Sequence, residues 1–101
     1  SKTYTSVEID FGAAKEYSLS QNYPNPFNPS TEINFSLEKS GNTTLKIYNI
    51  LGSEVATLVN GFVESGKHSV QFNAKDLTSG VYFYTIKADN YTSTKKMILM
   101  R

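Results

Sequence analysis

Apolar and polar residues alternate with a period of two along most of this chain. Ile33, Phe35 and Leu37 share one phase, as do Leu45 and Ile47, with Lys46 and Tyr48 on the opposite one. His68, Val70 and Phe72 repeat the pattern around Ser69 and Gln71. Successive side chains of a strand point to opposite faces of a sheet, so each run predicts a half-buried strand. Val81 to Ile86 is different: it is apolar or aromatic in both phases and rich in strand formers, which predicts a central strand. Met97 to Met100 predicts a short closing strand that begins just after Lys95 and Lys96. Glu54 to Val59 is long enough for a turn of helix, but its β-branched residues favour a strand.

Turn residues punctuate these runs at Ser40-Gly41-Asn42, Leu51-Gly52-Ser53, Asn60-Gly61, Ser65-Gly66, Ser79-Gly80 and Asp89-Asn90. Most neighbouring signals are about ten residues apart, the spacing of a sandwich or barrel. The fold class is therefore all-β: about seven short antiparallel strands from Tyr17 onward, packed as a sandwich. Phe35, Leu45, Ile47, Val70, Phe72 and Phe83, with their neighbours, are the expected core. Residues 1–16 stand apart. Val7, Ile9 and Phe11 alternate like a strand, and Gly12 to Glu16 reads as a spacer. This segment is either an extra edge strand or the end of a preceding domain followed by a linker; residues 17–101 form the domain proper.

Composition narrows the function. A chain of 101 residues makes one domain, with room for a modest core but none for a roomy catalytic cleft besides. The absence of cysteine excludes disulfides, thiolate metal sites and thiol nucleophiles. The formal charge of +1 argues against a broad nucleic-acid surface. No apolar run approaches a membrane span, and the Ser1-Lys2-Thr3-Tyr4 start lacks a signal-peptide core. Neither absence assigns a compartment, because a module of a larger exported protein carries its signal elsewhere. The charge is uneven: from Tyr91 onward Lys95, Lys96 and Arg101 have no acid among them. Lysines that block an open strand edge and a basic recognition element are both consistent with that tail.

Asn22-Tyr23-Pro24-Asn25-Pro26-Phe27-Asn28-Pro29-Ser30-Thr31 gathers all three prolines of the chain. Proline fixes φ and keeps the preceding residue extended, so this must be a stiff, irregular loop outside any central ladder. Its asparagines can bond backbone groups that no ladder satisfies, and Tyr23 and Phe27 offer apolar area to pin it down. Tyr17 to Thr31, read together, resembles the start of the type A C-terminal sorting domain of the bacterial type IX secretion system. The likeness continues in order through Leu45-Lys46-Ile47-Tyr48-Asn49-Ile50-Leu51-Gly52, Ser65-Gly66-Lys67-His68-Ser69-Val70 and Leu77-Thr78-Ser79-Gly80-Val81-Tyr82-Phe83-Tyr84. It ends on Lys95-Lys96-Met97-Ile98-Leu99-Met100-Arg101. Asn49 stands where the family more often has Asp, and Phe72-Asn73 where it often has Trp-Asp; both changes keep strand character.

The resemblance implies a seven-stranded immunoglobulin-like β-sandwich that acts as a folded address label. It implies N-terminal cargo domains in the same chain, recognition by an outer-membrane translocon, and in many members removal by a sortase-like peptidase at the cell surface. The residues expected to form the translocon-facing surface are Pro24, Asn25, Pro26, Phe27, Asn28, Pro29, Gly80, Tyr82, Lys95, Lys96 and Arg101. No cofactor, nucleic-acid partner or membrane insertion is expected.

Catalytic chemistry has little to work with. His68 is the only histidine; it falls in phase with Val70 and Phe72, as a partly buried structural residue would. No Gly-x-Ser-x-Gly elbow accompanies it, the acids are scattered singly, and no calcium-loop spacing occurs. An enzyme is not expected. The alternative from another class is a glycan-binding or adhesive module of an extracellular enzyme, stacking sugars on Tyr23, Tyr48, Tyr82 and Tyr84, although no tryptophan provides a larger face. A plain spacer domain is the third reading.

Overall fold

A computed structural model describes residues 16–101. The reading of residues 1–16 as linker or end of a preceding domain thus lies outside the described residues, apart from Glu16. Within the described residues the backbone forms seven strands and no helix. They are β1 Ser18–Leu19, β2 Ser30–Leu37, β3 Gly41–Tyr48, β4 Glu54–Val63, β5 Gly66–Asn73, β6 Gly80–Ala88 and β7 Tyr91–Leu99. One sheet has the order β1-β2-β5 and the other the order β4-β3-β6-β7. Every ladder is antiparallel. Lettered A to G, the strands form sheets ABE and DCFG. The constant-type immunoglobulin arrangement is ABED and CFG, so here the fourth strand has joined the other sheet.

The alternating phases meet between the two sheets. Ile33, Phe35 and Leu37 of β2 and Phe72 of β5 face Leu45 and Ile47 of β3, Tyr82, Tyr84 and Ile86 of β6, and Met97 and Leu99 of β7. Val70 is half-buried against this core. The expected core residue that does not belong is Phe83. On β6 the inward phase is Tyr82, Tyr84, Ile86 and Ala88, which leaves Phe83 on the outer face, half-exposed. β6 is nevertheless central in its sheet, flanked by β3 and β7.

Two boundaries also differ from the sequence pattern. Asn60-Gly61 lies inside β4, opposite Thr44 and Thr43, rather than in a turn. There the ladder partners outweigh the weak strand propensity of both residues. The closing strand starts at Tyr91, not after the lysines. Asp89, at φ 55°, and Asn90 close a tight hairpin, and Thr92, Ser93 and Thr94 pair with β6 from its start. The turn after β3 does form as expected, with Gly52 at φ 86°, a conformation glycine adopts without a Cβ penalty.

Candidate functional site

The proline loop and the end of the last strand, whose bonded groups are more than 70 residues apart in the chain, lie side by side. β7 is an edge strand, and from Lys96 onward its outer backbone groups are met by the loop. Gln21 Nε2 donates to the carbonyl of Lys96 at 2.7 Å, and the amide of Ile98 donates to Asn25 Oδ1 at 2.9 Å. The Phe27 amide donates to the Ile98 carbonyl, and the Met100 amide to the Phe27 carbonyl, both at 3.0 Å. Phe27 thereby makes a parallel bridge to Leu99. Proline excludes a regular eighth strand because it has no amide to donate. An asparagine side chain and the backbone of one residue between prolines do the pairing instead. Pro24, Pro26 and Pro29 all follow cis peptide bonds.

Buried side chains hold the loop in place. Phe27 is 2% exposed and packs tilted against Phe72 at 6.2 Å. Asn22 is equally buried: its Nδ2 donates to Thr31 Oγ1 at 2.9 Å and to the Pro24 carbonyl at 3.1 Å. The Asn22 amide donates to the Tyr84 hydroxyl at 2.8 Å, which in turn donates to the Ser20 carbonyl at 2.7 Å. Burial pushes the Tyr84 hydroxyl up to about 12, with the Asn22 amide opposing the shift, so it stays a neutral donor at physiological pH.

A third segment, between β5 and β6, completes this end of the sandwich. The Ala74 amide donates to the Pro29 carbonyl at 2.8 Å, which ties the segment to the loop. Arg101 ties it to the last strand. Its Nη1 donates to the carbonyls of Ala74 and Leu77 at 2.8 and 3.0 Å, and its amide donates to Ser79 Oγ at 2.9 Å. The Tyr82 hydroxyl donates to the Thr78 carbonyl at 2.7 Å, and Gly80 lies opposite Leu99.

Most residues singled out from the sequence therefore gather at one end, but in different roles. Pro24, Asn25, Pro26 and Asn28 are exposed and Pro29 is half-exposed, forming the visible surface of the loop. Phe27 and Tyr82 are buried, so they position that surface rather than form it. The basic tail is not one patch. Lys96 lies on the outer face opposite Phe83, Lys95 lies in the core-facing register opposite Tyr84 and is half-buried, and the Arg101 guanidinium is engaged with backbone carbonyls. The bonds of Gln21 to Lys96, of Tyr84 to Asn22 and Ser20, and of Ser79 to Arg101 had no signal in the sequence, because their partners lie far along the chain. His68 is half-buried, stacked on Phe35 at 5.3 Å with Nε2 2.6 Å from the Glu64 carbonyl. The four tyrosines considered for sugar stacking form no platform: Tyr82 and Tyr84 are buried, and Tyr23 stands alone on the proline loop. Among the described residues no group of three or more histidines and carboxylates is placed to hold a metal ion.

Residues 21–100 match a family model described as secretion system C-terminal sorting domain. No curated protein sequence matches the chain. Among solved structures, the chain is similar to part of PorZ, an essential bacterial surface component of the type IX secretion system of Porphyromonas gingivalis. The likeness has 21% identity and a TM-score of 0.56, and covers 90% of this chain but only 13% of PorZ. At that identity it speaks for the fold.

Proposed function

Because the chain belongs to the secretion system C-terminal sorting domain family, and is a sorting signal for type IX secretion, we propose that its readable element is the end of the sandwich where the proline loop and the last strand are joined. Its role is to direct attached cargo to the cell surface or beyond. In this reading an outer-membrane translocon recognises the exposed loop residues Pro24, Asn25, Pro26, Asn28 and Pro29 together with the exposed Lys96, while Lys95, facing the other way, lies outside that surface. Phe27, Gly80, Tyr82 and Arg101 hold that surface in shape. The cargo lies N-terminal to the domain, passes through the periplasm and outer membrane, and is then separated from the domain by a sortase-like peptidase. The domain itself performs no catalysis.

The observation that supports this reading most directly is the joining of loop and strand by the hydrogen bonds of Gln21, Asn25 and Phe27 to Lys96, Ile98 and Met100. A flexible peptide signal would not need such closure. The test is export of a reporter carrying the full chain at its C-terminus, in a bacterium with this secretion system. Deleting residues 95–101 is a poor probe, because it also strips Met97 and Leu99 from the core. Point changes separate the roles. Asn25→Ala combined with Lys96→Ala should lower export while the domain stays folded by circular dichroism. Retention of the unaltered fusion inside the cell would overturn the sorting role. Parental export by the folded double variant would overturn the assignment of the surface.

A further inference from the structure

β6 has a pattern that the sandwich alone does not explain. An antiparallel sheet with one face in water alternates cleanly between apolar and polar residues. The three-stranded sheet obeys this rule: its outer face carries Glu32, Asn34 and Ser36 of β2 beside Gln71, Ser69 and Lys67 of β5. The four-stranded sheet does not. Register places Tyr48, Phe83 and Lys96 in one outer row, with Val81 and Ile98 in the next. Tyr48, Val81, Phe83 and Ile98 are all half-exposed, and none is among the side chains packed against the core. The turn beyond β3 adds Ile50 and Leu51, which are 70% and 85% exposed. A contiguous apolar patch of this kind on a small soluble domain marks a contact surface.

The charges around the patch select its occupant. The outer face carries Lys46, Lys87 and Lys96 against one carboxylate, Glu54, which Lys46 already pairs at 3.4 Å. Thr57 holds that carboxylate further, and its pKa lies below the ordinary value, so it is ionised and committed. Among the described residues Lys87 and Lys96 have no carboxylate partner. A second copy of the chain would bring the same uncompensated lysines against each other, which opposes self-association. A partner of opposite charge fits this face better than a second copy does.

We propose that the outer face of the β4-β3-β6-β7 sheet, centred on Phe83, docks a protein partner whose contact surface is apolar at its centre and acidic at its rim. The inference rests on the sorting role and names a second contact for it, separate from the proline loop: the partner is a component of the export machinery. The test uses the full chain behind a fluorescent reporter in a bacterium with this secretion system. Phe83→Thr with Ile98→Thr removes the apolar centre and keeps strand propensity, and Lys87→Glu reverses a flanking charge. Export of the apolar pair should fall by about tenfold or more, as for loss of central contacts, and export of Lys87→Glu by a smaller factor, while circular dichroism of each purified protein matches the parent. If the unaltered fusion is exported and the folded apolar pair is exported equally well, the docking surface is wrong and the sorting role stands. If the unaltered fusion is not exported, the sorting role fails and the proposal falls with it. Should the apolar pair not fold, Lys87→Glu decides, with parental export counting against the proposal. Sedimentation velocity of the full chain closes the remaining route: a dimer dispersed by Phe83→Thr would overturn the acidic partner in favour of self-association.

Discussion

The four-stranded sheet has two outer edges, and they are finished differently. At β4 no described strand pairs with the outer edge, and its pairing with β3 is interrupted twice, between Leu45 and Lys46 and again between Ile47 and Tyr48. Such bulges twist an edge and discourage pairing with another chain. At β7 the far end of the edge is occupied by the proline loop, through one side-chain acceptor, one side-chain donor and the backbone of Phe27. One edge is protected by irregularity, the other by a dedicated cover. The cover binds the two sheets together, because the loop runs from β1 to β2 while it bonds β7. Stability should therefore be unevenly divided between the two edges.

The sharpest way to break that contrast is Phe27→Ala, which empties a buried site in the cover. It should cost about 3–5 kcal/mol in urea denaturation. A loss below 1 kcal/mol would mean that the cover is decorative. Tyr84→Phe comes next: it leaves the Asn22 amide and the Ser20 carbonyl without their shared partner, for about 1–3 kcal/mol. The same hydroxyl gives a pH signature. Its folded value of about 12 lies above the ordinary 10, so folding favours the neutral form. That contribution is complete below pH 10 and is lost as pH rises through 12. Thermal melts across that range should show a steeper alkaline decline in the parent than in Tyr84→Phe.

Asn25→Ala removes an exposed hydrogen bond from the covered edge and Arg101→Ala the side-chain bonds that tie its end to the segment between β5 and β6, and each should cost about 1 kcal/mol by the same denaturation. The smallest effect belongs to the open edge. Phe62 is largely exposed on β4, and Phe62→Ser should change stability by less than about 0.5 kcal/mol. If Phe62→Ser proved as damaging as Asn25→Ala, the two edges would not differ as described.

The division between what could be read from the sequence and what could not follows contact distance. Period-two runs identified β2, β3 and β5 and the core residues they carry, because alternation is a local property. The proline loop was legible as stiff and irregular for the same reason: proline restricts its own neighbours. The partner of the loop was not. The hydrogen bonds from Gln21 and Asn25 span 75 and 73 residues, and nothing local in either segment encodes that pairing. Phe83 was misplaced because an apolar residue in a strand apolar on both faces has no phase to read. The basic tail misled differently. Lys95 and Lys96 look like one patch in sequence, but adjacent residues on a strand face opposite ways.

The union of residues 21–27 with residues 96–100 also sets an order in time. Of the described residues, those of β7 and Arg101 are the last to be synthesised, yet Met97 and Leu99 complete the core and the strand beyond Lys96 receives the loop. A ribosome that stops short of them leaves the loop with nothing to close on and the sandwich without its final wall. A folded domain is thus a receipt that translation has run through Arg101.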